Sequence, residues 1–113
     1  MSLYAIVEGG KTWVFSGCAH SGLLNIIDRV ECISGSDEVG TLVGGTHLMG
    51  RDERYIEQTI DGLRRHAIDL LSPCHCTAFN ATKLIWDAFP SSFVLNYSGR
   101  VIESGKEPES RVV

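Results

Sequence analysis

Three times in 113 residues a β-rich run gives way, through a short loop, to a segment of helical periodicity, and few folds accommodate that alternation. The runs are Thr12-Trp-Val-Phe-Ser16, Val39 to Gly45 and Ile68-Asp-Leu-Leu71. After the first, Ser21 stands where an N-cap belongs, and Leu23, Ile26, Ile27 and Val30 follow at helical spacing. After the second, Glu53 to Ala67 carries Ile56, Ile60, Leu63 and Ala67 as one stripe. After the third, which Pro73 is expected to stop, Asn80 to Phe89 turns Leu84, Ile85 and Ala88 inward, and Pro90 closes it. Two hairpin signals frame this core. Leu3 to Val7 joins Thr12 to Ser16 through Glu8-Gly-Gly-Lys11, and Phe93 to Tyr97 joins Arg100 to Glu103 through Ser98-Gly99. The order is ββ-α-β-α-β-α-ββ. Right-handed crossovers then predict an α/β fold whose mixed sheet has parallel middle strands and helices on one face.

Length and composition narrow the class further. One domain accounts for the whole chain, with residues 1–103 as its body and 104–113 as a frayed tail. An apolar fraction of 43% with 21% charged residues describes a soluble globular protein. Lys and Arg number 10 against 14 Asp and Glu, a net charge of −4, which excludes the broad basic face of a nucleic-acid binder. No apolar run approaches the roughly 20 residues of a membrane span, and no basic-then-apolar leader opens the sequence. The expected setting is therefore cytoplasmic, with the four cysteines as reduced thiols or metal-site residues.

Three of the four histidines share one address. His20, His47 and His75 each follow a predicted strand and precede a predicted helix. In an open α/β sheet with parallel strands, such loops line a single edge, where ligands bind. His66 lies on the polar side of its helix and is read as solvated. In Gly17-Cys-Ala-His-Ser-Gly22, Cys18 and His20 can face one space if the chain stays extended between them. Both are zinc-type donors, although on these six residues alone a buried thiol beside a backbone-bonded histidine is the better fit. In Pro73-Cys-His-Cys-Thr77 two thiols bracket an imidazole; the spacing is neither that of a zinc ribbon nor the C-x-x-C of a redox motif. Gly44-Gly-Thr-His-Leu48 is a plain turn by itself, and no Lys-Ser/Thr follows to make a phosphate loop. Together the three loops can offer three nitrogens, or two with a thiolate. That is a catalytic zinc's usual complement of protein ligands.

These three segments, in this order, resemble the C-terminal half of the metallo-β-lactamase superfamily. More narrowly they are similar to its branch of dihydropterin–ribofuranosyl-aminobenzene-phosphate synthases, over about residues 4–103. The resemblance implies half of an αβ/βα sandwich with a divalent metal, zinc or another such as manganese, at the sheet edge. It makes His75 and His20 metal ligands, with Cys18 competing for the second position, and His47 a catalytic pocket residue. Cys74 and Cys76 would support the ligands or pack. Ala78 stands where that branch usually has glycine. The superfamily's His-x-His-x-Asp-His string occurs nowhere in these residues.

Two functions compete on this footing. One is a metal-dependent hydrolase of a phosphoester or ester-like small molecule, incomplete without further donors. The other is a non-catalytic half-domain that assembles with itself, as a homodimer or swapped pair, or with a missing N-terminal half. An uncovered apolar sheet face, larger than monomers tolerate, is the expected reason for such assembly. A thiol-based sensor built on Cys18, Cys74 and Cys76 lacks an adjoining Lys or Arg to lower a thiol pKa.

Overall fold

A computed structural model of the chain describes residues 1–6, 11–35 and 38–103. Its elements are β1 (Ser2–Ala5), β2 (Thr12–Ser16), α1 (Leu23–Ser34), β3 (Val39–Gly45), α2 (Glu53–Leu63), β4 (Leu70–Cys74), a 3₁₀ turn (His75–Thr77) and α3 (Ala78–Ala88). The four strands form one sheet in the order β1-β2-β3-β4. β1 runs antiparallel to β2, while β2, β3 and β4 are mutually parallel. The expected α/β alternation and mixed sheet are therefore present. The Gly9-Gly10 turn and the tail from residue 104 lie outside the described residues.

Register divides the sheet into two faces. Tyr4, Val14, Leu42 and Leu71 are aligned across the four strands, and the last three are buried in the same core as Leu23 and Ile27 of α1, Ile56, Ile60 and Leu63 of α2, and Ala81 and Ile85 of α3. This is the helix-covered face. The opposite rows are Leu3, Phe15, Val43, Ser72 and Ala5, Trp13, Thr41, Leu70. There the β3 and β4 ends of the rows are largely closed, with Thr41, Leu70 and Ser72 buried, whereas Leu3 and Phe15 remain 60% and 38% exposed. The apolar face foreseen from the sequence is thus open only along β1 and β2.

Several expectations shift. The closing hairpin does not form a ladder. Phe93 makes a single parallel bridge to Leu71, with Leu71 N donating to Ser92 O (2.9 Å) and Val94 N to Leu71 O (2.8 Å). The Ser98-Gly99 turn is real, since Arg100 N donates to Tyr97 O at 3.0 Å, but Val101 beyond it is exposed and has no strand beside it among the described residues. β4 runs through Pro73 and ends at Cys74, which a border strand tolerates because proline's missing N–H need not break a ladder there. The N-cap of α1 is Gly22 (φ 93°), with no side-chain cap bond, and not Ser21, whose carbonyl instead accepts from Asn25 Nδ2 at 2.7 Å. α2 is capped by Asp52, whose carboxylate accepts from Tyr55 N at 2.8 Å, and it ends at Leu63, short of Ala67. His66, beyond that end, is not solvated: its Nδ1 lies 2.9 Å from Glu31 of α1 and its Nε2 3.7 Å from Asp28. Among the described residues no helix is long and apolar enough to cross a membrane.

Candidate metal centre

Because β2, β3 and β4 are parallel, the loops leaving their carboxyl ends emerge on one side of the sheet. Each loop is held in a costly backbone shape. Ala19, His47, His75 and Ala78 all take φ between 55° and 61°, a region that L-residues rarely adopt. Two of the four are imidazole-bearing residues. The tight turns place Cys18 and His20 after β2, His47 after β3, and His75 with Cys76 after β4 around a common point.

Donor atoms of Cys18, His20 and His47 lie within 4.8 Å of one another, as do those of Cys18, His75 and Cys76. Cys18 belongs to both groups. The His20 and His47 rings are 4.5 Å apart at 44°. Cys18 Sγ is 3.6 Å from His47 Nδ1 and 2.9 Å from Cys76 Sγ, toward which it directs its S–H. The Cys76 thiol in turn donates to Cys18 O at 3.2 Å and accepts from His47 N at 3.0 Å. His20 and His75 are exposed, Cys18 and His47 half-buried, and Cys76 buried. The three sequence-predicted imidazoles therefore share one rim, with Cys18 at its centre.

Other bonds fix the second and third loops to each other. Thr46 Oγ1 donates to Thr77 Oγ1, and Thr77 Oγ1 to Cys74 O, both at 2.8 Å; Met49 N donates to Cys76 O at 2.8 Å. Thr77 thus spends its hydroxyl on the loop and makes no cap for α3. Gly45 makes the approach possible. A Cβ there would lie 2.9 Å from Cys76 Sγ and 3.0 Å from Cys18 Cα. Beside Cys18 and His20 a cavity of about 550 Å³ opens toward β1 and α1, with Ser21, Asn25 and Arg29 in its wall.

Two of the thiols are shifted upward. The hydrogen bond to Cys76, reinforced by burial and by the neighbouring sulfur, raises the Cys18 pKa above that of an ordinary thiol. Burial raises Cys74 likewise. Cys76, read from the sequence as a supporting or packing residue, is buried, and its sulfur also lies in one of the two donor groups. The Cys-His-Cys string contained that signal, but not which of its two thiols would turn toward Cys18.

Ala78 carries the clearest strain. Its φ of 61° and ψ of 173° fall in a region that is nearly glycine's alone. Ala78→Gly is expected to stabilise the chain by about 1–2 kcal/mol, since relieved strain exceeds the added freedom of the unfolded chain. Thermal denaturation should register a rise of several degrees; an unchanged or lower midpoint would contradict the strain.

With this geometry stands the likeness to known proteins. The fold is that of a metal-dependent hydrolase of the β-lactamase superfamily, whose crystal structure superposes with a TM-score of 0.83 over 93% of this chain and 40% of that one, at 24% identity. In sequence the chain is similar to the 7,8-dihydropterin-6-methyl-4-(β-D-ribofuranosyl)-aminobenzene-5′-phosphate synthase of Methanocaldococcus jannaschii, 30% identical over 99 residues, or 88% of this chain and 34% of the relative. An uncharacterized protein of the same archaeon is 31% identical over 93 residues, covering 81% of this chain and 34% of its own length. The resemblance carried by the three loops therefore holds in fold and in sequence. The chain spans about a third of the length of the curated relatives it matches. No protein-family model matches it.

Proposed function

We propose that the chain supplies the metal-holding rim of a metal-dependent hydrolase acting on a phosphoester or ester-like small molecule. The observation that carries this reading is the pair of donor groups meeting at Cys18. The donor set fits the group. Two thiols and three imidazoles, with no carboxylate in either group, suit zinc better than a hard ion such as manganese. Cys18, His20 and His75 would hold the ion, with Cys76 as a further sulfur donor. A divalent ion bound there supplies Lewis-acid polarisation of an ester or phosphoryl oxygen. His47, half-buried with its ring against His20, is suited to orient the substrate or to move a proton at Nδ1 or Nε2. Asn25 and Arg29, in the wall of the adjoining cavity, can accept the anionic end of such a substrate.

Zinc titration against a competing chelator tests the reading. About one equivalent is expected, binding more tightly as pH rises because thiol protons must leave. His20→Ala and His75→Ala should each weaken it at least tenfold. Less than a tenth of an equivalent in the wild type would refute the site. Hydrolysis of a nitrophenyl phosphodiester by the zinc-loaded chain tests catalysis separately.

A second reading, self-assembly without catalysis, draws on the open strip of Leu3 and Phe15 along β1 and β2. It expects a dimer in sedimentation velocity at micromolar concentration. A monomer there would remove it.

A further inference from the structure

We propose that Cys18 and Cys76 are an oxidative modification site, a thiol pair that a peroxide or a small-molecule disulfide converts to an internal disulfide, closing the metal rim. The Sγ atoms stand 2.9 Å apart and are already in hydrogen-bond contact, while a disulfide requires about 2.05 Å. Closure therefore asks for less than an ångström of approach between two loops that bare glycine at position 45 lets lie close together. Cys18 is half-buried and can meet a small oxidant; Cys76 is buried behind it and suits the resolving role.

The Cys18 sulfur attacks one oxygen of hydrogen peroxide, the O–O bond breaks, and the thiol proton leaves with the departing hydroxide as water. Cys18 is then a sulfenic acid. The Cys76 sulfur attacks it, the S–O bond breaks, and the Cys76 proton departs with that oxygen as a second water. Two thiols are oxidised by two electrons and one peroxide is reduced. With oxidised glutathione the same two electrons yield two glutathione thiols. The second step depends on the partner sulfur being in place, as the 2.9 Å separation provides. The consequence for the ion rests on the metal-site reading: a disulfide withdraws Cys18, the donor that both groups share.

The metal-free chain, incubated with hydrogen peroxide or oxidised glutathione at about pH 8.5 where ordinary thiols are half ionised, tests the pair. Intact mass should fall by two hydrogens, and peptide mapping should join Cys18 to Cys76. Cys18→Ser should abolish that product, while Cys32→Ser and Cys74→Ser should leave it intact. A link to Cys74, or stable glutathione adducts in place of an internal link, would overturn the proposal. Zinc affinity should then drop at least tenfold in the oxidised chain and return with dithiothreitol. Equal zinc affinity in both redox forms would overturn the closure. A mapped Cys18–Cys76 bond in a chain that takes up no zinc in either form would refute the metal reading and the closure built on it, while upholding the pair.

Discussion

Gly44→Ala is expected to yield little or no folded protein. Gly44 sits opposite Ser16 in the β2–β3 register with φ at 123°, and an added Cβ would press directly into the Ser16 carbonyl oxygen. Neither partner can give way. The obstacle is backbone rather than a flexible side chain, and it lies where two strands must pair for all three loops to share a rim. A side chain strained at that φ costs about 1–3 kcal/mol, and prying the strands apart adds comparable or greater loss. Against a domain stability of roughly 5–15 kcal/mol, the total is enough to unfold much of the population. Soluble yield and far-ultraviolet circular dichroism on heating provide the check. A cooperative transition within a few degrees of the wild type would mean that β2 and β3 do not pair in this register.

The second large effect concerns Cys18. It is the one residue common to both donor groups, so Cys18→Ala should lower zinc affinity by about 100-fold or more. Loss at His75 should be smaller, since it belongs to one group and leaves the other intact. Cys74→Ala is the control, because Cys74 lies in neither group and its raised pKa reflects burial. A chelator competition ranking the three variants reads this order directly. If His75→Ala proves as damaging as Cys18→Ala, the thiol is not the hub of the site.

How much of this was legible in the chain depends on range. β2 and β3 lie where their apolar runs put them, and α2 follows its Ile56-Ile60-Leu63 stripe, because local periodicity already selects the buried face. The shared rim was legible too: three histidines after three parallel strands must emerge on one side. Long-range effects were not. α2 ends before Ala67, and His66 turns to Glu31 of α1. The β-prone segment 93–103 reads as a hairpin, yet it meets β4 through one bridge because the pairing sheet edge outweighs its own propensity. Nor could spacing reveal that His47 and His75 adopt left-handed backbone, which swings their rings toward Cys18. Cys76 was the main surprise. Its sulfur accepts a hydrogen bond from the backbone N–H of His47, 29 residues away in sequence, a relation that no local pattern encodes.

The hydroxyls of Thr46 and Thr77, with the Met49 amide on the Cys76 carbonyl, weld two of the three loops into a single block. Residues 17–22 meet that block through the Cys18 and Cys76 sulfurs and the His20–His47 ring contact, with no hydroxyl bond, among the described residues, of the kind that ties the other two loops. On the proposed metal reading, the rim would then be a vice with one braced jaw, and the size of ion it could hold, with the room left beside the cavity, would follow from where that single short segment sits.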